Sequence, residues 1–263
     1  MPICRVIDSF KFRPYKHDEL MMENNLVLPL DLSNGEIYFL WWFIQGSIMN
    51  PETRWKLRHA WGLCERHAWG ALSVEASFRH NYLLGPAILY EDLISQAIRA
   101  FPKYGPCRTT RLAWNLRSKE PCLMCDCGLD DKSPGTATED KVKRGKDTAN
   151  LIEFALATER YWRDDVCGRC ARQDSKRRCR PHLLEDISQG LAVNTDEQRA
   201  FLKRIQEHLS AYSQSFVWEY HGTDTKEDRA ALLSAVGWCS GWTELLKILC
   251  THVMKLSAES PKL

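Results

Sequence analysis

A cysteine and a histidine three residues apart occur in Gly62-Leu63-Cys64-Glu65-Arg66-His67 and return 115 positions later in Arg178-Cys179-Arg180-Pro181-His182. Two cysteine pairs of C-x-x-C spacing accompany them, Cys122-Leu123-Met124-Cys125 and Cys167-Gly168-Arg169-Cys170. Thiolate and imidazole are ligands that zinc holds in a tetrahedron. One C-x-x-C turn supplies two donors, and a C-x-x-H at the start of a helix supplies the other two. These spacings are specific for metal ligation and silent about any reaction.

The shift of 115 also carries Ile37, in the apolar run Ile37 to Ile48, onto Ile152 in the run Leu151 to Trp162. It brings Cys4 close to the Cys122–Cys125 pair. The pattern reads as two related helical units, residues 1–105 and 106–263, each clamped by a zinc-type Cys/His site. In the second unit the repeated order selects Cys122, Cys125, Cys179 and His182. A compact alternative joins Cys167 and Cys170 to the same Cys179 and His182, and Gly168 suits that knuckle. Under the first pairing, Cys127, Cys167 and Cys170 are left for a second ion or a thiol switch.

The first unit offers Cys4, Cys64 and His67, with Met1 where a further thiol would stand. Its fourth position falls to His17, His59, the terminal amine or a water. A three-ligand site with an open position resembles catalytic zinc, with Glu65, Glu75 or Glu91 as a base. It equally describes a decayed structural site.

The elements that must position these donors read as helices. Ile37, Leu40, Trp41, Ile44 and Ile48 follow helical spacing, and Asn50-Pro51 ends the run. Pro86 suits a first helical position ahead of Leu89, Leu93, Ala97 and Phe101. Leu151, Phe154, Ala155, Thr158 and Trp162 form another stripe. Thr195 with Gln198 suits a capping box before Phe201, Ile205, Leu209, Tyr212 and Phe216. Trp242, Leu245, Leu246, Leu249 and Val253 form the last stripe. No stretch alternates strictly, so the fold class is all-α.

Residues 128–148, rich in Asp, Lys, Gly, Ser and Thr, read as a mobile insertion, and 102–121 as a connector. Cys239 and Cys250 read as core and Cys107 as unligated. The tryptophans, among them Trp41, Trp42, Trp61 and Trp69, read as core filling.

A net charge of +2 gives no global field for nucleic acid or membrane. The run Lys141 to Lys146 reads as a solvated loop. Lys176, Arg177, Arg178 and Arg180 beside the second metal are the residues that would meet a nucleic acid, although the near-neutral charge counts against one; a protein partner is the other candidate. The start Met-Pro-Ile-Cys-Arg lacks the pattern of a secretory signal, and the run Ile37 to Ile44 is too short to span a bilayer. Eleven cysteines, an odd number, fit a disulfide framework poorly. These features lead to the expectation of a cytoplasmic protein with reduced thiols.

Gly62-Leu63-Cys64-Glu65-Arg66-His67-Ala68, the later Ala87-Ile88-Leu89-Tyr90-Glu91-Asp92-Leu93 and Cys122 to Cys125 resemble an uncharacterised bacterial family of helical proteins. Its members carry C-P-x-C followed by G-[FL]-C-x-x-H. The resemblance spans most of the chain apart from 128–148. It implies metal ligation by Cys64, His67, Cys122, Cys125, Cys179 and His182 and implies no activity. Met1 at a cysteine position, and the additional Cys167 and Cys170, depart from that pattern.

The functional expectation is a zinc-stabilised helical protein acting as a binding or adaptor module. A zinc enzyme using Cys4, Cys64 and His67, or a thiol-based redox or metal sensor at Cys167 and Cys170, are the alternatives. Iron–sulfur ligation is weaker, because the C-x-x-H partners favour zinc.

Overall fold

The computed structural model describes residues 30–79, 82–102 and 107–259, with side chains up to 254. Within them the chain is helical and carries no strand. Helix α1 spans Asn34–Ile44, α2 Pro51–Ala60, α3 Glu65–Phe78, α4 Leu84–Ala100, α5 Arg108–Leu116 and α6 Leu123–Asp126. There follow α7 Glu139–Gly145, α8 Ala149–Trp162, α9 Arg180–Ser188, α10 Thr195–Gln214, α11 Lys226–Ser240 and α12 Thr243–Glu259. Among the described residues no helix is long and apolar enough to cross a membrane.

Helix α11 is the axis of the molecule. Its residues from Ala230 to Ser240 are all buried, as expected of a helix covered on every side. Helices α8 and α10 pack along it, and α3, α4 and α9 also lean on it. Gly237 is required there, because a Cβ would meet the Trp242 ring at 2.1 Å. The core runs without a break from Leu30 to Leu249 and includes Trp61, Trp69, Trp162, Trp238 and Trp242.

Local chemistry sets the helix starts. Ser33 and Glu36 form a capping box on α1: the Glu36 N–H donates to Ser33 Oγ at 3.2 Å, and the Ser33 N–H donates to Glu36 Oε2 at 2.7 Å. Asn50 caps α2, with Pro51 at its first position. Asn50-Pro51 is therefore a helix start, and α1 has already ended at Ile44. Ile48 is still buried, on a short 3-10 turn of Ser47–Met49.

Several expectations are corrected. Helix α4 opens at Leu84, so Pro86 lies inside its first turn, where its missing N–H still costs nothing. The cap of α10 is Asn194, which accepts from the Glu197 N–H at 3.1 Å; Thr195 is already helical. The connector 102–121 contains α5, whose Leu112 and Leu116 are fully buried. Trp42 is 51% exposed and Cys250 is exposed, so neither belongs to the core, whereas Cys239 does.

The segment 128–148 is docked on α1 and α3. Gly35 N–H donates to Ser133 O at 3.0 Å, and Ser77 Oγ donates to Arg144 O at 2.8 Å. A Cβ on Gly145 would lie 2.6 Å from Ile37, so α7 meets α1 closely. The basic run is not simply solvated: Lys141 lies over Trp41, Arg144 over Phe78, and Lys146 pairs with Asp31. Cations laid on aromatic faces gain from the ring quadrupole without leaving water entirely.

Candidate metal centres

Two groups of four donors converge: Cys64, His67, Cys122 and Cys125 in cluster I, and Cys167, Cys170, Cys179 and His182 in cluster II. Within each, the ligand atoms lie within 4.8 Å of one another, so each could hold a metal ion.

The C-x-x-H turns are built alike. Cys64 is the N-cap of α3 and Cys179 the N-cap of α9, both in extended conformation and neither capping its helix through a sulfur bond to the backbone. The helix then turns the histidine Nδ1 back over the cap, at 3.2 Å from Cys64 Sγ and 3.1 Å from Cys179 Sγ. Trp61, at φ 62°, and Gly62, at φ 94°, reverse the chain between α2 and α3 and so deliver Cys64. The left-handed region suits glycine but strains a tryptophan, which is held here by core burial and by a bond from its Nε1–H to Arg117 O at 3.3 Å.

Both turns are fastened to the C-terminal end of α11. Ser240 Oγ donates to Leu63 O at 2.9 Å, next to Cys64. Buried Arg180, next to Cys179, donates to Cys239 O and to Leu116 O, each at 3.1 Å. One helix end thus sets the position of both histidine turns.

The cysteine pairs arrive differently. In cluster I, Cys122 caps the four-residue α6, and Cys122 and Cys125 bring sulfur to 3.4 and 3.5 Å from His67 Nδ1. In cluster II, Cys167 and Cys170 sit on a tight knuckle, each 3.3 Å from His182 Nδ1. Gly168 is obligatory in it: a Cβ would lie 2.3 Å from Ser175 O, and its N–H donates to Arg177 O at 3.0 Å.

This pairing replaces the repeated order. Cys122 and Cys125 join Cys64 and His67, not Cys179 and His182, and the compact alternative for the second site is the one formed. Cluster I therefore takes two ligands from either side of residue 105. It has four protein donors without Cys4, so the three-ligand site with an open position is not the arrangement found. Met1, Cys4 and His17 lie outside the described residues. His59 bonds Trp55 O and is not among the cluster donors. Glu65 instead accepts from the Glu244 N–H at 3.1 Å and so caps α12, and Glu75 accepts from the Gly85 N–H at 3.2 Å. Cys107 and Cys127 are exposed and belong to neither cluster.

Sequence reasoning missed Glu36. Its side chain is fully buried behind cluster I and accepts from His67 Nε2 at 3.0 Å and from Arg66 through two nitrogens, at 2.7 and 2.9 Å. A carboxylate behind a ligating imidazole fixes the tautomer that offers Nδ1 to the ion and raises the ring's basicity. Burial alone would raise the Glu36 pKa, but the bonds from His67, Arg66 and Ser33 outweigh it and hold it down to about 2. Burial likewise opposes protonation of His67, yet the Cys122 thiolate and Glu36 win and raise it to about 9. The sequence does carry a signal for Glu36, because Ser33-x-x-Glu36 fits a capping box.

Cluster II is braced by Asp186. This buried carboxylate accepts from Arg169 at 2.7 Å and from Arg178 at 2.6 Å, tying the knuckle to the C-x-x-H arm. Arg177 lies over Phe201, 4.1 Å from its centroid. With Arg180 buried, most of the basic run 176–180 is engaged inside the molecule.

Crowding separates the thiols. In cluster I, the Cys64 thiol bonds Cys122 and drops it to about 3, while Cys64 itself is pushed up. In cluster II, bonds from Cys170 and Cys179 lower Cys167, and Cys170 is pushed up to about 12. Three sulfurs this close cannot all be anionic by themselves. A divalent cation at their centre would remove that conflict, because a coordinating thiol is deprotonated outright.

No family model, no curated protein and no solved structure matches this chain.

Proposed function

We propose that each cluster holds one structural zinc ion and that the protein is a non-catalytic helical binding module. The observation that carries this reading is the size of the two donor sets. Zinc bonds of about 2.3 Å to sulfur and about 2.0 Å to nitrogen give tetrahedral edges of roughly 3.8 Å between sulfurs and 3.5 Å between sulfur and nitrogen. The sulfur–sulfur separations are 3.8 Å for Cys64–Cys125 and 3.7 Å for Cys170–Cys179. Each set surrounds the volume of a single ion and includes an imidazole, which supports zinc over an iron–sulfur cluster. Each is complete with four protein ligands, the mark of a structural site, whereas catalytic zinc keeps a position for water.

Structural zinc contributes about 10 kcal/mol or more of apparent folding free energy, comparable with the whole stability of a domain. The test is far-UV circular dichroism during titration with a strong chelator. Cooperative loss of helix as the metal leaves is the expected result. Full helicity in protein shown to be metal-free would overturn the reading.

A further inference from the structure

A cleft of about 530 Å3, with Trp61 in its wall, lies between α2, the Gln96 turn of α4, and the end of α5 with the segment that follows it. It is distinct from both clusters, and its size suits a small organic ligand. Its lining is one-sided in charge. Arg54, Arg58, Arg117 and Lys119 line it, and among the described residues no carboxylate does. Asp92 pairs with Arg54 at 3.3 Å and Arg58 at 3.4 Å, leaving Arg117 and Lys119 without an acidic partner among the described residues.

The backbone carrying these two cations is fixed. Lys119 N–H donates to His59 O at 2.8 Å, and Arg117 O accepts from the Trp61 indole. Beside them Trp55, 53% exposed, is braced by the His59 ring, 4.1 Å between centroids. His59 is itself pinned, its Nδ1 lying 2.8 Å from Trp55 O. A braced, half-exposed indole next to two cationic side chains carried on a held backbone is a stacking surface with positive charge at its edge for a phosphate. Arg54 Nη1 is shielded from solvent and has no acceptor among the described residues. That nitrogen is closed off from the cleft as well as from bulk water, so Arg54 adds positive charge to the wall rather than a contact.

We infer that this cleft binds a nucleotide unit, with the base stacked on Trp55 and the phosphate held by Arg117 and Lys119. The inference names a ligand for the binding module proposed above and does not depend on what the clusters hold. The nucleotide unit has two sources, a free mononucleotide or a residue of a single-stranded nucleic acid.

The test is isothermal titration of the full chain, of measured metal content, with AMP, with ADP and with a ten-residue single-stranded oligonucleotide. Saturable binding by the mononucleotides is expected, weakened roughly tenfold by Trp55→Ala and at least as much by the pair Arg117→Glu and Lys119→Glu. All three residues are exposed, and circular dichroism checks that the variants fold. Comparable affinity for mononucleotide and oligonucleotide assigns a free ligand. Much tighter oligonucleotide binding with a steep salt dependence assigns a strand. Absence of saturable binding by any of the three probes at about 1 mM, in protein with full metal content, overturns the cleft assignment alone. So does binding indifferent to the Trp55 and charge-reversal variants.

Discussion

Cluster I joins donors 55 residues apart in the chain, from His67 to Cys122, whereas cluster II closes a loop of nine between Cys170 and Cys179. The first ties α3 to a segment that has already passed through α4 and α5; the second staples a local knuckle to the helix that follows it. Their exposure is reversed as well. In cluster I the histidine is buried and Cys125 is exposed. In cluster II all three sulfurs are buried and the histidine is partly open. The support also differs, since Glu36 orients the ligating ring in cluster I and Asp186 braces the two arms of cluster II. The same four donors can therefore serve long-range closure or local folding, and the surroundings decide which.

Breaking each cluster in turn gives the largest effect. Cys64→Ser and Cys167→Ser should each lower the metal content by one ion per chain. The Cys64 variant should lose more stability, because the entropy of closing the longer loop favours cluster I by about 1.5 kcal/mol. Denaturant unfolding of the two variants measures the difference, and an equal or opposite ranking would dissolve the contrast.

A second comparison sets Glu36 against Glu75. Both carboxylates are buried near α3, but among the described residues Glu75 has a single backbone donor and no partner for Oε2, and burial pushes its pKa up to about 8. Between the ordinary carboxylate pKa and that value, the folded protein keeps a proton that the unfolded chain has released. Stability therefore falls as pH rises through this window, by on the order of 5 kcal/mol. Glu75→Gln should flatten that slope and stabilise the protein near pH 8. Thermal unfolding from pH 5 to 9 reads it.

Glu36→Gln should weaken metal binding at cluster I by about 10- to 100-fold and leave cluster II unchanged. Competition with a chromogenic chelator separates the two ions. No equivalent substitution exists at cluster II, where His182 Nε2 has no protein partner among the described residues. Asp186→Asn is expected to cost about 1–2 kcal/mol by weakening charge-assisted bonds to Arg169 and Arg178, a smaller shift in the unfolding midpoint.

The eight clustered donors were legible in the sequence, because each C-x-x-C or C-x-x-H pair is decided within one turn of chain. Which pairs meet was not. Cys122 reaches Cys64 through the packing of α2 against α6 and the fastening of Leu63 to Ser240, contacts between residues far apart in the chain. The offset of 115 captured the shared cap geometry of Cys64 and Cys179 but put the cysteine pairs in the wrong partnership. The all-helical class followed from stripes such as Phe201, Ile205 and Leu209. Segment 128–148 was misread because its polar residues dock through backbone bonds and cation–ring contacts, which leave no apolar period.

X-ray absorption at the metal edge, combined with elemental analysis of the purified chain, addresses the central claim most directly. The account predicts two zinc ions per chain, each with a shell averaging three sulfurs near 2.3 Å and one nitrogen near 2.0 Å. Fewer than two ions in folded protein, a different metal, or a shell containing a water oxygen in place of a protein donor would contradict it.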